Sequence, residues 1–209
     1  DDKLTYTFHL RDGIQWSNGE PVKAADFVYA WLKQMSADAT NGYSFIMTDY
    51  IVNGQEYNEG SVEASEVGVK AVDDQTLEVQ LKSPTPYFLN LTTMDMFFPV
   101  NEAFCEEQGT NFALSPDSML YCGPYVITDY DPAVGVTFAK NDNYWDKDNV
   151  AVEDAQVRVI KDAAAALSAY QAGELSQVKL DSANVAAYKD DPEFSQEIDF
   201  RTSYVQIGR

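Results

Sequence analysis

The residues able to do chemistry are few in kind. His9 is the only histidine and Cys105 and Cys122 are the only cysteines, whereas Asp and Glu together number 34. A single histidine excludes a conventional two-histidine zinc centre, and neither cysteine belongs to a C-x-x-C pair, which disfavours zinc and thioredoxin-like chemistry. His9 falls on the polar side of an alternating stretch, where a lone imidazole is seldom catalytic. No G-x-S-x-G, H-E-x-x-H, Walker A or G-x-G-x-x-G pattern occurs. Two carboxylates across a cleft could hydrolyse a glycosidic bond, but nothing in the sequence selects a pair, and so many acids offer pairs by chance. The adjacent Asp73 and Asp74 lie between two alternating segments, where a tight turn points both into solvent. The acidic runs at Asp129 and Asp142–Asp148 fail as calcium loops. Counting from Asp129 the sixth residue is Val134 and the twelfth Lys140; from Asp142 they are Lys147 and Glu153, so the central glycine is missing from both. No cofactor, metal or catalytic residue is expected.

The net charge of −20 sets the surface chemistry. It repels nucleic-acid phosphates and anionic membranes, leaving solubility as its larger role and attraction of cationic peptides as a minor one. Cys105 and Cys122 admit two readings, a disulfide or two buried free thiols. A bridge would close a loop worth about 3 kcal/mol in the chain-entropy model, but spacing alone does not supply the Cα separation it needs.

The elements that must position these groups are clearest at the start. Leu4, Tyr6, Phe8 and Leu10 alternate with Thr5, Thr7 and His9, the period of a half-buried strand. Asp12-Gly13 and Asn18-Gly19 are turn dipeptides, and from Ala24 onward Phe27, Val28, Trp31, Leu32 and Met35 share one helical face. Asp26 lies in the first turn of that helix, where the dipole favours an anion. A second helical stretch is expected from Tyr43 toward Ile51, and a short helix between Gly54 and Gly60. Val67–Val72 and Thr76–Leu81 read as a hairpin turned at Asp73-Asp74-Gln75. After Pro84-Thr85-Pro86, Tyr87, Phe88, Leu89 and Leu91 are expected in a buried helix, and Asn90-Leu91-Thr92 is a formal glycosylation sequon. Asn101 to Gln108 reads as a helix closed by Gly109, and Cys122–Ile127 pairs with Val134–Lys140. Tyr144 and Trp145 are expected to pack a loop rather than to stack on a ligand. Val157–Ile160 reads as a strand. Asp162 is placed to cap an alanine-rich helix that ends at Gly173, and a further helix is expected over Asn184–Lys189. No run of about 18 apolar residues occurs, so no membrane-spanning helix is expected. The chain opens on Asp1-Asp2-Lys3 without a signal-peptide pattern and stops within a strand at Ser203–Ile207, so both ends are expected to be cuts in a longer protein.

The string YTFHLRDGIQWSNGEPVKAADFVYAWLK, from Tyr6 to Lys33, closely resembles the signature of the family 5 extracellular solute-binding proteins, the peptide- and nickel-binding receptors of ABC importers. GVKAVDDQTLEVQLKSPTPYFLNLT, the Gly-Pro-Tyr at Gly123–Tyr125 and the N-x-x-Y-W pattern at Asn141–Trp145 are similar to the same family. Where the family usually carries an Asp after Gly-Glu-Ile, this chain has Ser176, which weakens any role for that carboxylate. The resemblance implies a mixed α/β fold of the type II periplasmic-binding-protein kind. Residues 1–97 would be a smaller α+β subdomain and residues 98–209 part of the main lobe, packed together through Phe97 and Phe98 and ending at the hinge strand. It also implies a monomeric, non-enzymatic, extracytoplasmic receptor, a surface lipoprotein or periplasmic, that captures oligopeptides between two lobes and passes them to permease subunits. Tyr43 matches the position of an aromatic ligand contact, Asp181 lies in a segment that approaches the cleft, and Gln206, on the last strand leading into the hinge, is a further candidate ligand contact. The alternatives are a carboxylate-based hydrolase or a non-transport surface domain on the same fold.

Overall fold

The computed structural model describes residues 3–39 and 42–196. Two compact units divide at residue 158: unit 1 is Asp1–Arg158 and unit 2 is Val159–Arg209. In unit 1, strand β1 (Thr5–His9) leads through the two glycine turns to helix α1 (Ala24–Met35), followed by the short helices α2 (Phe45–Thr48) and α3 (Gly54–Asn58). The hairpin β2 (Val69–Asp73) and β3 (Thr76–Gln80), the one-turn α4 (Phe88–Leu91) and α5 (Glu102–Gln108) come next, and β4 (Tyr125–Asp131), β5 (Gly135–Lys140) and β6 (Asp154–Arg158) end the unit. Unit 2 contains α6 (Ala163–Gln171) and α7 (Ser182–Tyr188).

The first sheet has the order β1-β3-β2 and is antiparallel throughout. Tyr6 faces Val79 and Phe8 faces Leu77, so the bulky set of β1 lies on the same face as the buried residues of β3. Onto that face α1 lays Ala30, Trp31 and Met35, and α2 adds Met47. Phe88 and Phe97 close the cluster: the Trp31 ring meets Phe97 edge-on at 5.1 Å, and its indole nitrogen donates to the Phe97 carbonyl at 2.9 Å. An indole N–H is therefore buried without loss of its hydrogen bond.

The start of α1 is fixed by one carboxylate. Asp26 Oδ2 accepts from the Lys23 backbone N–H at 2.9 Å and from the Trp16 indole N–H at 3.1 Å. The residue expected to serve the helix dipole is thus a buried cap that anchors the preceding turn through Trp16. That turn folds back on itself where Gly19 takes φ +88 and Asn18 Oδ1 accepts from the Glu20 backbone N–H.

The second sheet, β4-β5-β6, is also antiparallel, with an irregularity between Ile127 and Asp129. It is tied to the rest of unit 1 by the Asn141–Trp145 loop. Asn141 is buried; its side chain donates to the Gly123 carbonyl and accepts from the Asn143 backbone N–H. Asn143 then donates to the Ser17 carbonyl at 2.9 Å, Ser17 Oγ accepts from the Tyr121 N–H, and the Arg11 guanidinium lies 3.9 Å over the Trp145 ring. The N-x-x-Y-W pattern is a clasp, consistent with the packing role expected of its rings.

Several expectations shift. Of the set expected to bury around α4, Phe88 is buried and Leu91 half-buried, while Tyr87 and Leu89 are exposed, because a single helical turn can turn only one side inward. Phe97 packs into the core but Phe98 is 57% exposed. The strand expected at Val157–Ile160 runs instead over Asp154–Arg158, because its register on β5 pairs Gly135 with Arg158 and Ala139 with Asp154. In unit 2 the capping expectation holds: Asp162 accepts from the Ala165 N–H at 2.7 Å, and Gly173 takes φ +75 beyond the helix end.

Candidate functional site

The expected site residues do not form a cluster. Tyr43 lies just before α2, with its ring 57% exposed and 6.2 Å from the equally exposed Phe45 ring. The opposite side of α2 buries Met47 and Thr48, so the single turn is rooted in the core and presents its aromatic pair outward. Asp181 is the N-cap of α7: its Oδ1 accepts from the backbone and side-chain nitrogens of Asn184, both at 2.9 Å. The candidate at Asp181 thus has a local role in starting a helix. Gln206 lies outside the described residues.

A second aromatic pair joins the half-buried Tyr50 to the exposed Tyr87. Tyr50 and Tyr87 meet edge-on at 6.0 Å with their hydroxyls 3.2 Å apart, and that hydrogen bond, more than burial, holds the Tyr50 hydroxyl above its ordinary pKa. Sequence reading did not single out this pair or Phe45. The signal available was length: helices as short as α2 and α4 cannot bury every aromatic residue that flanks them. Exposed Tyr and Phe rings offer rigid apolar area with a hydrogen-bonding edge, suited to holding a ligand that is itself partly polar.

The charged groups do something different. A groove of about 600 Å³ collects His9, Arg11, Lys23, Asp73 and Asp74, and three of these groups, Lys23, Asp73 and Asp74, are engaged locally. Lys23 Nζ is 3.1 Å from Asp74, and Gln75 bridges to Asp12. Asp73 accepts from the Gln75 backbone N–H, and that bond holds its carboxyl below the usual range, so it stays ionised as a turn residue and is unsuited to acid catalysis. The carboxyl that burial does push up, Asp26, is already engaged as the cap of α1. Among the described residues no group of three His, Cys, Asp or Glu side chains could hold a metal ion, and no helix is long and apolar enough to cross a membrane.

The disulfide reading is overturned: Cys105 and Cys122 are both free. The Cys105 sulfur sits beside Lys33 near the end of α1, and burial pushes the half-buried Cys122 thiol up.

Comparison with known proteins places this geometry. The sequence model of the bacterial extracellular solute-binding proteins, family 5 Middle, matches residues 1–208. The chain belongs to that family. Oligopeptide-binding protein OppA of Bacillus subtilis is 38% identical over 174 residues, which cover 83% of this chain and 32% of that protein. Oligopeptide-binding protein SarA of Streptococcus gordonii is 38% identical over 207 residues, covering 94% of this chain and 31% of that protein. Among solved structures, OppA of Listeria monocytogenes bound to peptide matches with a TM-score of 0.87 and 38% identity, over 92% of this chain and 38% of that one. The substrate-binding domain of an oligopeptide ABC transporter from Bacillus anthracis gives 0.88 and 39%, over 92% and 37%. The fold is therefore the α/β fold of the peptide-binding type II periplasmic binding proteins. The chain spans about a third of the length of the curated relatives it matches. Those relatives are named as binding proteins rather than enzymes, and the family as extracellular.

Proposed function

We propose that this chain is part of the substrate-binding component of a peptide ABC importer, and that it supplies one wall of a cleft whose other wall lies elsewhere in the protein. The observation that carries the reading is its match, over 92% of its length, to a relative whose solved structure is bound to peptide. The exposed Tyr43 and Phe45 rings, rooted by α2 in a packed core, are the surface such a wall needs. Tyr43 is the ligand contact in this proposal, and Asp181 and Gln206 are further candidate contacts, each to be tested by its own substitution. Residues 1–97 act as the smaller subdomain and residues 98–209 as part of the main lobe. The protein works outside the cytoplasm as a monomer, anchored as a lipoprotein or free in a periplasm, and hands its ligand to permease subunits. Main-chain hydrogen bonds supply affinity for peptides of varied sequence, and ligand binding shifts a hinge equilibrium toward closure.

The test uses the longer protein that contains this chain, purified without denaturation. Mass spectrometry of the released ligand should find oligopeptides, and Tyr43→Ala should weaken peptide binding by about tenfold in calorimetry. Release of a non-peptide solute would overturn the substrate class. An unchanged affinity in Tyr43→Ala would remove Tyr43 from the site. The present chain alone, with a single wall, should bind a peptide mixture far more weakly than micromolar; submicromolar affinity would show that one wall suffices.

A further inference from the structure

We propose that Lys33 and Cys105 form a covalent nitrogen–oxygen–sulfur bridge when the folded protein meets molecular oxygen. The two side chains come from different elements, α1 and α5, and Lys33 Nζ lies 3.5 Å from Cys105 Sγ. The amine is held in place over the sulfur. It donates to the Tyr29 hydroxyl at 3.0 Å and lies 5.2 Å from the Tyr29 ring centroid, and the Tyr29 hydroxyl in turn donates to Glu106, the residue after the cysteine. The Glu106 carboxylate is 3.9 Å from Lys33 Nζ and can take the proton that the ammonium must lose before its nitrogen can react. Cys105 is only 3% exposed. Burial shields its sulfur from bulky external thiols, whereas dioxygen is small enough to reach it. A gap of 3.5 Å is close to van der Waals contact, so inserting one oxygen atom draws the side chains together without moving either helix.

The step balances. The protonated amine, the thiol and one dioxygen give the N–O–S bridge, one water and one proton. The S–H bond, two N–H bonds and the O–O bond break. One oxygen atom joins nitrogen to sulfur, and the other leaves as water with two of the hydrogens. Nitrogen and sulfur each lose two electrons, and dioxygen gains the four. The bridge would tie the last turns of α1 to α5 and remove one cation from the surface.

The experiment compares this chain purified anaerobically with the same preparation held under oxygen until its mass stops changing. Each sample is unfolded without reductant and its thiols counted. Two reactive thiols are expected without oxygen and one, Cys122, with it. The intact mass should rise by one oxygen less two hydrogens, peptide mapping should join the Lys33 and Cys105 peptides, and dithiothreitol should reverse both. Cys105→Ser and Lys33→Arg should each abolish the product, and Cys122→Ser should retain it. Two reactive thiols after oxygen exposure would overturn the proposal. So would oxygen gained with no hydrogen lost, which is a sulfenic acid, or two hydrogens lost with no oxygen gained, which is a direct N–S bond.

Discussion

Unit 1 contains two three-stranded antiparallel sheets that are specified in different ways. In β1-β3-β2 one face is covered: Leu77 and Val79 are buried against Trp31, Met35 and Phe88. A one-residue slip would turn those side chains into solvent, so packing fixes the register. In β4-β5-β6 the only buried position in any strand is Gly135, and every residue of β6 is exposed. Here the backbone carries the specification. Gly135 takes φ +146, and a Cβ at that position would stand 2.0 Å from the Val157 carbonyl oxygen. The first sheet should therefore be most sensitive to a side chain removed, and the second to a side chain added.

The largest effect should come from Trp31→Ala. It deletes a ring that is 2% exposed, leaves the Phe97 carbonyl without its donor and opens a cavity against Phe97, at a cost of about 3–5 kcal/mol in urea unfolding followed by far-UV circular dichroism. Val157→Ala, at a side chain 59% exposed, should change the same measurement by no more than about 0.5 kcal/mol. Comparable losses at the two positions would mean that the second sheet is covered as fully as the first. Next in size is Gly135→Ala, expected to cost about 1–3 kcal/mol through overpacking. Its signature is local: hydrogen exchange should accelerate at the amides of β5 and β6 and stay unchanged in β1 and β3. Acceleration spread equally over both sheets would show that they open as one unit.

Legibility in the sequence follows the same division. The β1 alternation and the apolar face of α1 were readable because each pattern reports a face packed against this chain's own core, and the Asp12-Gly13 and Asn18-Gly19 turns because turn chemistry is local. The Asp162 cap and Gly173 were readable because capping is local. Phe98 and Leu89 were misplaced because an apolar side chain reveals a preference for burial and not whether a neighbour is there to supply it. The start of β6 was misplaced because its register depends on a glycine some twenty residues earlier, which no local pattern reveals. Of the candidate ligand contacts, Tyr43 could be named through the family resemblance. The Tyr50–Tyr87 pair could not, because 37 residues separate its members and only the folded chain brings their hydroxyls together.

Asp26 tests whether the first sheet's packing extends to its polar edge. Asp26→Ala removes the cap of α1 and the acceptor for the Trp16 indole, and should cost about 1–2 kcal/mol. Asp26→Asn keeps an oxygen for both donors and removes the charge. Burial raises the folded carboxyl above its ordinary value of 3.8, against the pull of its hydrogen bonds from Lys23 and Trp16 and the charge of Lys23, and with a small push from Glu102. A raised folded value means that this group's stabilisation is fully present below the unfolded value and is lost as pH rises through the folded one. The stability of Asp26→Asn relative to the native chain should therefore be greatest near neutral pH and should shrink as pH falls toward 3.8. A difference that grew on acidification would mean that the ionised form is the favoured one and that its hydrogen bonds outweigh its desolvation.

The smallest effect concerns the link between the two sheets. Arg11, just beyond the end of β1, lies over Trp145, which is 46% exposed. An exposed cation–ring contact of this kind is worth about 0.5–1 kcal/mol. Arg11→Met keeps the aliphatic cover of the ring and removes the charge, so global stability should fall by no more than that, while Trp145 fluorescence responds to the lost guanidinium. The stronger part of the clasp is polar and buried, running from Asn141 through Asn143 to the Ser17 carbonyl. If Asn143→Ala proves no more costly than Arg11→Met, then the hydrogen bond to Ser17 is not what fastens the second sheet, and the ring contact takes its place.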